Sequence, residues 1–238
     1  MKLERLSQEN VERIAGRGII CYERSEAYLR ELCAAYGLQD RIVAVIDDNE
    51  RSRGELSFFD RRLSVTASSG LAGMDLKNNV ILITSDYFRE AYEALCQNES
   101  VTEKVDTIYY YANRETEYEL AYREHYQARA LENMIVFRSG PHASAYVKGM
   151  DFADNARALF EYMVAEQFNE TYELVWLVKD PSDYRYIEEQ YDNVSFLSFD
   201  WSVSDVLGER ERYYRALCLA KYLFMTDAYG FARNARKD

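Results

Sequence analysis

The chain has 238 residues, 48% of them hydrophobic, with four cysteines, two histidines, two prolines and a formal net charge of −12. That apolar content suffices for genuine cores in two ordinary domains or one large one, which excludes a disordered chain. The acid excess, spread over both halves, excludes an overall nucleic-acid footprint.

The first ten residues, Met1–Asn10, are polar and charged, and no apolar run approaches the roughly 20 residues that a bilayer crossing requires. A cytoplasmic protein is expected, at most peripheral to the inner face of the membrane. Cys21, Cys33, Cys96 and Cys218 are widely spaced, form no Cys-x-x-Cys pair and have no neighbouring His to complete a zinc set. They read as reduced thiols in cores, and neither metal nor cofactor is expected. The one basic concentration visible along the sequence is terminal, at Arg233, Arg236 and Lys237.

In chain order, Ile19–Tyr22 is a short apolar run. It is followed by Leu29, Leu32, Cys33 and Tyr36 at helical spacing, with Gly37 as a stop. Arg41–Ile46 is a continuous apolar run of the kind buried on both faces of a parallel sheet, and it ends in Asp47-Asp48-Asn49. Val80–Ile83 repeats the theme ahead of a helical stripe of Phe88, Ala91, Tyr92 and Leu95, and Val105–Tyr111 predicts one more strand. Strand and helix patterns that alternate in this way predict parallel βαβ units, hence a Rossmann-like domain over residues 1–113.

Residues 114–131 read as a connecting helix with Tyr118, Ala121, Tyr122 and His125 on one face. A second series follows in residues 132–238: strand 134–137, helix 151–168, strand 172–178, a short helix at 184–190, strand 194–199, helix 209–221 and strand 222–225. The fold class is therefore α/β, two tandem Rossmann-like parallel-sheet domains.

In the first domain, an acid after the second strand is where dinucleotide binders hold ribose hydroxyls, so Asp47 or Asp48 is the candidate cofactor contact. The loop after the first strand, Tyr22-Glu23-Arg24-Ser25-Glu26-Ala27, has no glycine and places Glu23 and Glu26 where a pyrophosphate would sit. The alternative is that these acids are solvated loop residues. The unit resembles the small Rossmann-like domain at the start of sugar acyltransferases and some glycan-modifying proteins, with Ala44–Asn49 as the matching strand end.

In the second domain, Met134-Ile-Val-Phe-Arg-Ser-Gly-Pro141, Asp154-Asn-Ala-Arg-Ala-Leu-Phe-Glu-Tyr162 and Tyr172-Glu-Leu-Val-Trp-Leu-Val-Lys179 resemble the first half of the CDP-glycerol glycerophosphotransferases. These enzymes prime or extend teichoic-acid-type polymers. The resemblance spans about residues 132–238 and departs at Asp154-Asn155-Ala156, where the family usually reads Asn-Pro. It implies the acceptor-side half of a GT-B transferase. CDP-glycerol and a polymer or lipid-linked acceptor would be its partners, and it would be inactive without the donor-binding half and its Trp-His-Gly-type base.

Under that resemblance the loop after strand 134–137 holds a phosphate-bearing acceptor. Arg138 pairs with the phosphate, Ser139 and the Gly140 amide add hydrogen bonds, and Asn155 caps the next helix or touches substrate. The competing reading makes Ser139 and Gly140 a turn and Asn155 a cap only. His142 is the candidate base, because histidine titrates near neutrality. A non-catalytic protein that recognises a nucleotide-linked or phosphorylated metabolite is the alternative function.

Overall fold

A computed structural model describes residues 1–23, 25–139, 151–226 and 234–236. The chain divides into two compact units, Met1–Asn113 and Arg114–Asp238.

The first unit is built on a seven-stranded sheet. Its elements in chain order are β1 (Lys2–Arg5), α1 (Gln8–Arg13), β2 (Gly18–Tyr22), α2 (Glu26–Tyr36), β3 (Ile42–Ile46), β4 (Gly54–Phe58), β5 (Arg61–Thr66), β6 (Asn79–Ile83), α3 (Phe88–Cys96), α4 (Glu99–Thr102) and β7 (Thr107–Tyr110). The strand order is β1-β7-β6-β2-β3-β5-β4. β2 lies at the centre because its apolar run can be buried from both sides: Ile19, Ile20 and Cys21 are fully buried.

Helix α2 starts where the Ser25 hydroxyl accepts the Tyr28 amide at 3.4 Å. It stops at Gly37, which takes φ 65° and sends its N–H to the Cys33 carbonyl at 2.8 Å. Gly37 is a C-terminal stop because only glycine enters the left-handed region at no steric cost.

All strand pairs of this sheet are parallel except β4 with β5. The sheet is therefore mixed, not wholly parallel as the sequence predicts. The antiparallel hairpin turns through Phe59 and Asp60, with Phe59 at φ 50°. Its alternate residues Leu56, Phe58, Leu63 and Val65 point into the core. The hairpin occupies one edge of the sheet and β1 the other.

The second unit comprises α5 (Arg114–Tyr126), β8 (Glu132–Arg138), α6 (Asp154–Ala165), β9 (Glu173–Val178), α7 (Arg185–Glu188), β10 (Val194–Ser198), α8 (Leu207–Leu219) and β11 (Ala220–Met225). Four parallel strands run in the order β10-β9-β8-β11. One face buries an aromatic cluster in which Trp176, fully buried, meets Phe137, Phe152 and Phe160. The other face buries Tyr213, Tyr214, Leu217 and Val136, with the Tyr122 and Tyr214 rings stacked at 4.7 Å.

Helix α5 ends at Tyr126, five residues before the predicted limit, because the chain must turn to enter β8. The Arg129 amide bonds to the Tyr126 carbonyl at 3.0 Å in that turn. Of the predicted face, Tyr118 and Tyr122 pack against the core beside the buried Thr116, Glu119 and Tyr126, whereas Ala121 and His125 are exposed. His125 lies edge-on to the Tyr126 ring at 4.7 Å.

Among the described residues, no helix is long and apolar enough to cross a membrane. Cys21, Cys33 and Cys218 are buried free thiols and Cys96 is partly buried.

Candidate functional site

In an open α/β sheet, the crevice beyond the carboxyl ends of the strands is widest where strand order reverses. The first unit reverses at β2, since β3 follows on one side and β6 returns on the other. A cavity of about 390 Å³ opens there, lined by Tyr22, Glu23 and Ser25 after β2, Asp47, Asp48 and Asn49 after β3, and Thr84 and Ser85 after β6.

The walls of this cleft are tied together by hydrogen bonds that span all three strand ends. The fully buried Thr84 donates its hydroxyl to the Glu23 carbonyl at 2.7 Å and to the Tyr22 carbonyl at 3.2 Å, while its amide donates to Tyr22 at 3.0 Å. The Glu23 amide donates to the Ile46 carbonyl at 2.7 Å. Asp48 accepts the Ser68 amide at 2.8 Å and the Tyr22 hydroxyl at 3.1 Å, and Asp47 accepts the Asn49 amide at 2.8 Å.

These contacts set the charge states. Partial burial works against ionisation of Asp48, but the Ser68 and Tyr22 hydrogen bonds and the Arg53 charge outweigh it and hold the carboxyl below the usual aspartate range. Burial pushes Glu23 up; a hydrogen bond with Ser85 opposes this, and the charges of Asp47, Glu90 and Asp86 add to it. Burial, with Asp48 as the next cause, raises the Tyr22 phenol well above its ordinary value.

Glu23 has φ 72°, a left-handed conformation at the strand-to-helix turn where dinucleotide folds place glycine. Asp47 and Asp48 lie where a ribose-binding acid belongs, at the end of the second parallel strand, and the cleft brings them together with Glu23. Among the described residues the charged side chains that line it are carboxylates, a lining that disfavours a pyrophosphate and favours hydroxyl-rich or cationic groups. Thr84 and Ser85 escaped the sequence reading. Their signal is a polar pair directly after the apolar run Val80–Ile83, at a strand end that an α/β crevice uses.

The second unit reverses between β8 and β11, where the Thr226 amide donates to the Arg138 carbonyl at 3.3 Å. Arg138 is 4% exposed, with its guanidinium over the Phe199 ring at 5.5 Å, and Ser139 is 3% exposed. The Ser139 hydroxyl donates to the Ala153 carbonyl at 2.5 Å and accepts the Ala153 amide at 3.1 Å, which ties the end of β8 to the start of α6.

Asp151, 6% exposed, accepts the Lys179 amide at 2.8 Å and the Tyr184 hydroxyl at 2.5 Å, and so joins the same α6 entry to the end of β9. Asn155 is exposed within the first turn of α6 and is not its cap. The cap position is Ala153, whose backbone is served by Ser139. Gly140 and His142, the predicted amide donor and base, lie outside the described residues.

Among the described residues, no group of three or more His, Cys, Asp or Glu side chains could hold a metal ion. The comparisons with family profiles, curated proteins and solved structures return no match to this chain.

Proposed function

We propose that the chain works in glycerophosphate transfer of the CDP-glycerol type, with the second unit holding a phosphate-bearing acceptor at the β8–β11 crevice. The setting would be the cytoplasm or the inner membrane face, during synthesis of a teichoic-acid or capsule-type polymer. The observation that carries this reading is Arg138: a guanidinium nearly removed from solvent, at the carboxyl end of a parallel strand, beside the point where strand order reverses.

A guanidinium keeps its charge throughout the accessible pH range and presents a planar fork matched to phosphate oxygens. Arg138 and Ser139 belong to the stretch Met134–Pro141, one of the three that carry the resemblance. In such a transfer, the acceptor hydroxyl needs a base and the leaving diphosphate needs cations or amides. Arg138 serves neither role here: it positions the acceptor.

The test is thermal shift and calorimetry with glycerol 3-phosphate, CDP-glycerol, CTP and NAD on wild type, Arg138→Lys and Arg138→Gln. Glycerol 3-phosphate at a hundredfold over its Kd should stabilise the wild type by about 2.7 kcal/mol. Arg138→Gln should lose that response while retaining a dispersed amide spectrum. An equal response from Arg138→Gln, or no response from the wild type, overturns the proposal.

A second reading is favoured by the acidic cleft of the first unit. There the chain binds a hydroxyl-rich metabolite without turning it over, and Glu23, Asp47 and Asp48 keep out the diphosphate of a dinucleotide. Calorimetric binding of a polyol that Asp48→Asn abolishes, with no response to glycerol 3-phosphate, would select it.

A further inference from the structure

A second and larger cavity of the first unit, about 510 Å³, lies at the opposite, amino-terminal edge of its sheet. It is walled by Arg13, Ile14 and Arg17 around the end of α1, by Lys77 ahead of β6, and by Lys104, Val105, Asp106 and Thr107 ahead of β7, with Tyr109 on its inner side. Four cations therefore face one lining carboxylate in a protein whose formal net charge is −12.

The cations are not equally engaged. Arg13 pairs with Glu4 at 2.5 Å and donates to the Tyr109 hydroxyl at 3.1 Å. Arg17 is pinned by donating one terminal nitrogen to the Lys77 and Asn79 carbonyls at 3.2 and 2.8 Å, while its Nε is buried with no acceptor among the described residues. Lys77 and Lys104 are exposed, and neither lies within ion-pair distance of a carboxylate among the described residues.

Basic side chains near helix carboxyl ends commonly answer the macrodipole or cap carbonyls. That account is too weak for this cluster. The adjoining helices α1 and α4 have six and four residues, and the carbonyls of Ile14 and Arg17 are already served by Arg41 at 2.6 and 3.0 Å.

We propose that this cleft is an anion site that takes a phosphate-bearing group, either of a soluble phosphorylated metabolite or of a phospholipid headgroup. Its volume suits a phosphate with a small organic body. The rigidly held Arg17 supplies a fixed fork, Arg13 a second guanidinium, and the two lysines mobile charges that close over the ligand. The site stands apart from the glycerophosphate reading, since it lies in the other unit and uses none of the residues that reading invokes.

The test is an amide-resolved titration at roughly 50 mM salt with pyrophosphate and with glycerol 3-phosphate, beside flotation with vesicles containing phosphatidylglycerol or phosphatidylcholine alone. Saturable shifts should gather at residues 16–18, 77–79 and 104–107, and fade as salt rises. Lys77→Gln and Lys104→Gln remove exposed side chains without fold-bearing bonds, so their melting temperatures should match wild type. Each should weaken binding roughly fivefold, the upper end for one exposed ion pair.

Shifts with the soluble anions but no retention on vesicles identify a metabolite. Retention on phosphatidylglycerol vesicles with local shifts identifies a headgroup, and either outcome supports the site. Neither response at millimolar ligand, or a Lys77→Gln/Lys104→Gln double variant that binds as tightly as wild type, overturns it.

Discussion

Replacing Thr84 with valine tests whether the switch-point cleft is held open by hydrogen bonds or by packing. The exchange swaps a hydroxyl for a methyl at nearly constant volume at a side chain with no solvent exposure. The Tyr22 carbonyl keeps the Thr84 amide at 3.0 Å, whereas the Glu23 carbonyl loses the hydroxyl donor at 2.7 Å. A part-buried carbonyl left without this donor costs at most about 1–3 kcal/mol, and the added methyl returns about 0.8 kcal/mol of burial.

The net expectation is a loss of about 0.2–2.2 kcal/mol, centred near 1 kcal/mol, or about 5 °C in the melting temperature of a unit this size. Thr84→Ser makes the complementary change. It keeps both hydroxyl bonds and gives up one methyl, at about 0.8 kcal/mol. Urea denaturation followed by fluorescence and by circular dichroism measures both variants. The reasoning fails if valine is no more destabilising than serine, because packing rather than the hydroxyl would then hold Glu23 in place.

Asp151→Ala should be more severe, at about 3 kcal/mol, because it strands the Lys179 amide and the largely buried Tyr184 hydroxyl together. Asp151→Asn should recover part of that loss in the same denaturation experiment. For Asp48, the folded carboxyl sits below its unfolded value. Its contribution is therefore fully present above the unfolded pKa of about 3.9 and is lost as pH falls through the folded value. The stability gap between wild type and Asp48→Asn should close on acidification below about pH 4, and a gap that stays constant from neutral pH to that range contradicts the assignment.

The parts of the fold that were legible in the sequence are those where burial imposes an uninterrupted apolar run. Ile42–Ile46 and Val80–Ile83 read as inner parallel strands because, apart from the exposed Val43, their residues are covered on both faces, and Gly37 read as a helix stop because its left-handed backbone favours glycine. The β4–β5 hairpin stayed hidden for the opposite reason. One face of Leu56-Ser57-Phe58 and Leu63-Ser64-Val65 is polar, and its turn uses Phe59-Asp60, which carries no Asn-Gly or Gly signal.

The strand-end positions of Asp47 and Asp48, which follow β3 directly, and of Arg138 and Ser139, which end and follow β8, were legible because each stands at the close of an apolar run. Asn155 does not fill the capping role: the backbone at the start of α6 is held by Ser139, which reaches across from the preceding strand end, a distance in sequence that cap patterns do not cover. The basic cleft was out of reach altogether. Arg13, Arg17, Lys77 and Lys104 form no local charge run and meet only because parallel strands carry their amino-terminal ends to the same edge. Of the terminal group expected to supply the positive patch, Arg236 is half-buried and directs one nitrogen toward the Leu217 carbonyl at 3.5 Å. Arg233 and Lys237 lie outside the described residues.

Strand β1 pairs with β7 in the register Lys2 to Thr107 through Arg5 to Tyr110. Within this unit, β1 therefore has no strand mate until β7, the last strand of the unit, has been synthesised. Loop closure over such a span grows only logarithmically in cost, so the finished sheet loses little by the arrangement. The order of assembly bears the consequence: the central strands can gather as they emerge, and β1 is the strand that joins at the end.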